Sequence, residues 1–283
     1  LKKFLLTKSV GLYLNLLSYV APAKAFKIAY KFFSHPRDGR LSKENLSAFL
    51  QSAEHETLRL DEHDIQTYRW APNQSAANEK VILLAHGWES NSWRWEKLLP
   101  HLLQVGFTLV ALDAPAHGLS SGKEFNVPLY VSFIDLVAKK HQPQIIIGHS
   151  LGGIAAAYYQ FRHPNHPLQK MVLLGAPSDF SVILKNYIKM LSLNRKLHQA
   201  FEDYTLKRFQ IEIADFSGQK FVSGSQLKGL IAHDEQDTIV LYKEAQKLAS
   251  GWKNATLIST SGLGHSLHDE ELNQKIVAFL LEN

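Results

Sequence analysis

The chain has no cysteine, which removes disulfides and thiolate metal sites at once. That absence says nothing about compartment, because a cysteine-free protein is at home on either side of a membrane. Blocks of five or more like charges are missing too. The 31 basic and 26 acidic residues, net +5, are spread along the 283 positions. A nucleic-acid binder gathers Lys and Arg into a patch or stripe, so no nucleic-acid partner is expected. A membrane-crossing helix needs ~20 uninterrupted apolar residues. In the apolar-rich N-terminal stretch Lys8, Asn15, Pro22 and Lys24 prevent such a run. Internal repeats and low-complexity tracts do not occur. What remains is 45% hydrophobic and 20% charged, an ordinary balance for a globular chain with a sizeable core.

Leu1 to Phe33 differs from the rest. It is rich in Leu, Tyr, Phe and Lys, and its apolar positions recur at helical spacing broken near Pro22, which predicts a pair of amphipathic helices. Packing of these helices on the main body is the expectation; a peripheral membrane contact through residues 1–33 is the first alternative. A secretory leader is the second, with Lys2 and Lys3 ahead of the apolar stretch and Ala21-Pro22-Ala23-Lys24-Ala25 as a small-residue cleavage site. Lys8 and Asn15, inside that stretch, weigh against it. The expected location is accordingly cytoplasmic, with membrane association or export through this segment as alternatives.

Beyond Gly39 the pattern settles. Glu56–Leu60 and Ile65–Trp70 alternate as strands around a polar turn, and Pro72–Asn78 reads as a polar loop. Four short apolar runs follow: Val81–Ala85, Phe107–Leu112, Ile145–Ile147 and Met171–Leu174. Helical stretches separate them at Trp93–Gln104, Val127–His141 and Leu151–Arg162. Near-continuous apolar strands alternating with helices predict a parallel sheet covered on both faces. From Ser178 to Ser225 the alternation stops and helical spacing takes over, the mark of a helical insertion. It resumes with Leu227–Ala232, Val240–Ser250, Ala255–Thr260 and a closing helix from Asp269 to Leu281. The expected organisation is an N-terminal helical extension (1–53), an α/β core (54–177 with 226–283) and a helical cap (178–225).

The strongest chemical signal is Gly148-His149-Ser150-Leu151-Gly152, followed by Gly153, set directly between a strand and an Ala-rich helix. A strand running straight into a helix must turn sharply at the serine, and only glycine two positions before and after leaves room. Such a turn holds the hydroxyl proud of the sheet, and the Leu151 amide opens a helix whose dipole favours an oxyanion. A serine needs a base. Among 14 histidines position decides: His265, in Ser261-Gly262-Leu263-Gly264-His265 after the last strand, can lean over the sheet edge, and His268 is the weaker candidate. The carboxylate that fixes its tautomer is Asp237, just past Leu227–Ala232. Asp234 and Glu235 are close rivals that read as solvated turn acids, and Asp179 is a separate rival. A second oxyanion donor is the Trp88 amide in His86-Gly87-Trp88. Asp113, in Asp113–Ser120, reads as a structural loop anchor, and Trp93 and Trp95 as core or pocket wall.

Together these segments, from about Glu54 to the C-terminus, resemble the α/β-hydrolase superfamily in its cap-bearing, esterase- and lipase-like branch. The matching motifs are His86-Gly87-Trp88, the Asp113–Ser120 loop, the Ser150 pentapeptide, the Asp237 segment and Gly264-His265, in the order Ser, Asp, His. The resemblance implies a mostly parallel eight-stranded sheet with the cap inserted after the sixth strand. Relatives that cleave halides or epoxides use aspartate at the elbow, so Ser150 disfavours those activities. Many members have proline soon after the acid, where this chain has Leu241. The expected activity is hydrolysis of a small-molecule carboxylic ester or thioester by Ser150, His265 and Asp237, with Trp88 and Leu151 amides on the oxyanion and no metal or cofactor. An acyltransferase, a C–C bond hydrolase or an aminopeptidase on the same residues are alternatives, as is a non-catalytic ligand-binding member of the fold. Oligomeric state is not legible.

Overall fold

The computed structural model describes residues 2–72 and 80–282. The loop expected over Pro72–Asn78 therefore lies outside the described residues from position 73 onward. The first half of the chain forms α1 (Lys2–Val20), α2 (Pro22–Ser34), α3 (Ala48–Gln51), β1 (Glu54–Leu60), β2 (His63–Trp70), β3 (Val81–Ala85), α4 (Leu99–Gln104), β4 (Thr108–Leu112) and α5 (Val127–His141). It continues with β5 (Ile145–His149), α6 (Leu151–Arg162), β6 (Lys170–Leu174), α7 (Phe180–Leu191), α8 (Arg195–Phe209), α9 (Gly218–Val222), β7 (Lys228–Asp234), α10 (Lys243–Gly251), β8 (Ala255–Thr260) and α11 (Glu270–Leu281). These elements fall into two compact units: residues 36–178 with 218–283, and residues 1–35 with 179–217.

The first unit holds one eight-stranded sheet in the order β1-β2-β4-β3-β5-β6-β7-β8. β1, β2 and β4 pair antiparallel, and every other pairing is parallel. The central strands β5 and β6 are buried along their whole length. That is why Ile145-Ile146-Ile147 and Met171-Val172-Leu173-Leu174 show no polar alternation: both faces are covered. α4 and α11 pack together on one side of the sheet, while α5, α6, α9 and α10 form a contiguous row. Ile82, Leu84, Ile147, Val172, Ile276 and Phe279 belong to one large apolar cluster.

The helix expected over Trp93–Gln104 is two pieces, a 3-10 turn at Ser92–Glu96 and α4. Periodicity alone carries it through Pro100, but proline has no N–H for the Glu96 carbonyl and its ring crowds that turn. Asn91 caps the first piece, its side chain accepting from the Trp93 amide at 3.0 Å.

The second unit is all helical. Leu14 of α1, Ala25 and Ala29 of α2, Leu184 and Tyr187 of α7 and Phe201 of α8 share one apolar core. The Tyr187 hydroxyl donates to the Ala29 carbonyl at 2.7 Å, and the Phe33 and Tyr187 rings lie 4.9 Å apart. This division differs from the boundaries drawn from sequence. Residues 1–35 are not a separate extension, because two helices of 12 and 15 residues cannot enclose a core alone. α1 and α2 supply the missing faces. Residues 36–53 and 218–225 belong instead with the sheet, where Leu50, Phe221 and Val222 are buried.

Candidate active site

β5 ends at His149 and α6 starts at Leu151, so Ser150 alone turns the chain. It does so at φ 53°, ψ −122°, a conformation that costs a non-glycine residue about 1–3 kcal/mol. The surroundings hold it there. The Ser150 amide donates to the Leu174 carbonyl on β6 at 2.8 Å, and the Gly153 amide to the Ser150 carbonyl at 2.9 Å. A Cβ on Gly152 would lie 2.1 Å from the Ala85 carbonyl oxygen, and one on Gly148 2.4 Å from that of Gly152. The flanking glycines are therefore required by contact, not by local propensity.

His265 follows β8 in a short 3-10 turn, Gly264–Ser266. Its Nδ1–H donates to Asp237 Oδ2 at 2.6 Å. Asp237 sits in the loop after β7, buried, and its other oxygen accepts the Ile239 amide at 2.8 Å and the Val240 amide at 3.0 Å. With Nδ1 committed, Nε2 is the nitrogen His265 can offer a partner. Two neighbours locate the ring beside the elbow. The His149 ring, one residue before Ser150, lies 4.9 Å away, and His149 Nε2–H donates to the His265 carbonyl at 2.9 Å. A Cβ built on Gly175 would lie 3.5 Å from His265 Nδ1 and Cε1, and Gly175 directly follows the Leu174 carbonyl that holds Ser150. Serine, imidazole and carboxylate thus gather at one edge of the sheet.

The segment after β3 runs against the serine: a Cβ on Gly87 would come 2.8 Å from Ser150 Cβ and 3.3 Å from its Oγ. His86 fixes this segment. Its Nδ1–H donates to the Gly87 carbonyl at 2.8 Å, and its Nε2 accepts the Ala114 amide at 2.9 Å. Burial pushes its pKa down to about 4, so the ring is neutral, as that donor–acceptor pattern requires. Among the described residues the Trp88 amide donates to no acceptor. Leu151 is the first residue of α6, so its amide has no intrahelical partner. Neither amide is engaged by an acceptor among the described residues.

A second Ser–His–Asp grouping, Ser92, His86 and Asp113, is a structural knot. All three are fully buried. The Ser92 hydroxyl and amide both donate to Asp113 Oδ1, at 2.8 and 2.9 Å, and His86 Nε2 stands 4.0 Å from the same oxygen while serving Ala114. Tyr68 and the Leu119 amide donate to Asp113 Oδ2, each at 2.9 Å. A hydroxyl bonded to the acid instead of the imidazole has no base, and no substrate reaches it. Burial raises the Asp113 pKa against these donors.

Asp234 is not a solvated turn acid. It is fully buried, accepting the Gln236 amide at 3.0 Å on one oxygen and Thr260 Oγ1 and the Leu263 amide, each at 2.9 Å, on the other. Burial works against its charged form, yet these donors prevail and hold its pKa below the ordinary value. It braces the loop that carries His265. Glu235 is exposed, and Asp179 takes a hydrogen bond from Ser217 at 2.7 Å at the start of α7. His268 has its pKa lowered by burial, then by the charges of Arg94 and Lys97. Trp95 is core, whereas Trp93 is half exposed and donates to Glu96 at 2.9 Å.

Three neighbours escape sequence reasoning. His149 is one. His233, fully buried, donates to the Val240 carbonyl at 2.7 Å and lies 3.4 Å from Asp237 Oδ2. Arg94 donates to the Ser266 carbonyl at 2.7 Å, and burial pushes its pKa down to about 9. For His149 the only signal is adjacency to the serine; for the others there is none.

An eight-stranded sheet of this order, with a serine on a strained turn after β5 and a helical insertion after β6, is the α/β-hydrolase fold. A sequence model of the family described as "alpha/beta hydrolase fold" matches residues 80–201. The chain is 26% identical over 273 residues to the bifunctional esterase/perhydrolase DCH of Acinetobacter calcoaceticus, covering 77% of this chain and 96% of that protein. It is 30% identical over 115 residues to the monoacylglycerol lipase of Mycolicibacterium smegmatis, covering 38% of this chain and 40% of that one. Among solved structures, the ferulic acid complex of Est1E from Butyrivibrio proteoclasticus superimposes with a TM-score of 0.66 at 17% identity, over 80% of this chain and 98% of that one. At that identity the likeness speaks for the fold.

Proposed function

We propose that the protein is a serine hydrolase that cleaves a carboxylic ester or thioester of a small molecule through an acyl-enzyme. Ser150 is the nucleophile, His265 the general base and Asp237 the orienting acid. The observation that carries the reading is the 2.6 Å His265–Asp237 hydrogen bond beside a serine held at φ 53°. Ser150 Oγ attacks the carbonyl carbon as His265 Nε2 takes its proton, and the Asp237 carboxylate stabilises the imidazolium. The oxyanion is met by the Leu151 and Trp88 amides, aided by the dipole of the 12-residue α6. Collapse expels the alcohol or thiol, protonated by His265. Water then attacks the acyl-enzyme with His265 again as base, releasing the acid and restoring Ser150. These side chains and amides suffice for every step.

The activities named for two relatives, esterase/perhydrolase and monoacylglycerol lipase, point to acyl substrates as well. A ligand-binding member would have no use for all three side chains in register. For location, we favour a cytoplasmic enzyme in peripheral contact with a membrane. The support is residues 1–33, with six lysines and no acidic residue, a charge that suits the anionic cytoplasmic leaflet. Among the described residues no helix is long and apolar enough to cross a membrane. The test of the reaction is labelling with a fluorophosphonate. Wild-type protein should label and Ser150→Ala should not, with turnover of p-nitrophenyl esters lost in parallel. Equal labelling of the two sinks the assignment.

A further inference from the structure

Surface helices normally turn apolar side chains inward and polar ones outward. α1 does so only in part: Leu14 is buried with Val10 and Leu17 packed beside it, but its other anchoring contacts are polar. Lys8 Nζ donates to the Lys189 carbonyl at 3.1 Å, the Met190 carbonyl at 3.0 Å and Ser192 Oγ at 2.7 Å. It thereby neutralises the negative C-terminal end of α7. Asn15 donates to the Ser192 carbonyl and accepts the Asn194 amide, each at 2.8 Å, and Asn194 donates to Ser18 Oγ at 2.8 Å. Gly11 faces the same way, its Cα so close to Leu191 that a Cβ would overlap that residue's carbonyl. These bonds fix the rotation of α1 about its own axis. Its solvent side presents Leu5, Leu6, Leu12, Leu16, Tyr19 and Val20, each more than half exposed.

Charge identifies what covers this face. The helical unit carries twelve basic and five acidic residues, net +7, whereas the sheet unit carries 19 and 21, net −2. On α2, Lys24, Lys27 and Lys31 are exposed at helical spacing, and Lys196 Nζ sits 4.1 Å from the centre of the exposed Tyr19 ring. A second copy would set +7 against +7. An anionic bilayer offers both an apolar interior and the opposite charge, and tyrosine is at home at that boundary.

We infer that the outer face of α1 is a docking surface for an anionic lipid bilayer. α1 lies in the plane of the interface, with its leucines and Val20 among the acyl chains and the lysines of the helical unit at the headgroups. The inference stands apart from the reaction chemistry and sharpens the membrane reading to one helix face.

The test is co-sedimentation of the whole chain with vesicles of phosphatidylcholine, with and without phosphatidylserine. Wild-type protein should pellet with the anionic vesicles, and raising salt from about 0.1 M to about 1 M should release it. Leu12→Glu with Leu16→Glu should lower partitioning on the order of a hundredfold, with unchanged melting and unchanged hydrolysis of a soluble ester. Ser150→Ala should pellet like wild type, so loss of catalysis and loss of docking are read separately. Three results would each overturn the inference: wild type left in the supernatant with anionic vesicles, the Glu variant pelleting normally, or a solution dimer that the Glu variant splits.

Discussion

Replacing Asp237 by asparagine changes one atom of the carboxylate, and the structure dictates which. One oxygen accepts two backbone amides, from Ile239 and Val240 at 2.8 and 3.0 Å; the other accepts His265 Nδ1–H at 2.6 Å. In Asp237→Asn the two amides demand an oxygen on their side, because an NH2 there would face two donors. The NH2 is therefore directed at His265 and can be satisfied only if Nδ1 loses its proton. That tautomer places the hydrogen on Nε2, where the ring can no longer take a proton from Ser150. We expect kcat on a p-nitrophenyl ester to fall about 10⁴-fold, the scale of a wrong tautomer in other serine triads, or about 5 kcal/mol of transition-state stabilisation. Folding stability should change by less than about 1 kcal/mol, since both amides keep their acceptor. Asp237→Ala leaves both without one and should cost a further ~1–3 kcal/mol in urea unfolding. An asparagine variant within tenfold of wild type would refute the assignment of Asp237 as the orienting acid.

Two further outcomes follow from the same geometry. Gly152→Ala drives a methyl to 2.1 Å from the Ala85 carbonyl, backbone against backbone, so it should cost about 3 kcal/mol or more; urea unfolding with a midpoint like wild type would count against the elbow packing. His86 and His117 are pushed down to about 4 and about 3, mainly by burial, while in the unfolded chain both titrate near 6.5. The unfolded state thus binds more protons below pH 6.5, and stability should fall as pH drops from there toward 4. For His86 alone this amounts to about 3 kcal/mol. Stability that stays flat between pH 7 and pH 4 would contradict neutral buried rings.

The sheet and the edge that gathers the candidate residues are legible because each follows a strand within a few residues: Ser150 after β5, Asp237 after β7, His265 after β8. Local signals of that kind survive into the fold. Asp234 shows where they stop. Nothing in His233-Asp234-Glu235 distinguishes an exposed turn acid from one enclosed by Thr260 and Leu263, residues 26 and 29 positions away. His149 reaches His265 across 116 positions, and no spacing announces it among 14 histidines. The partnership of residues 1–35 with 179–217 is hidden for the same reason. Helical periodicity finds apolar positions all round α1, and only the partners show that Leu14 faces in while Leu12 and Leu16 face out.

That partnership also sets an order of events during synthesis. The atoms that satisfy Lys8 belong to Ser192 and its neighbours, as many as 184 residues downstream. At a ribosome's pace of about 5–20 residues per second, α1 leaves the exit tunnel roughly 10–40 s before its acceptors do. For that interval a leucine-rich helix has neither a core to join nor a partner for its lysine, and a nearby bilayer or a chaperone is the surface on which it can wait.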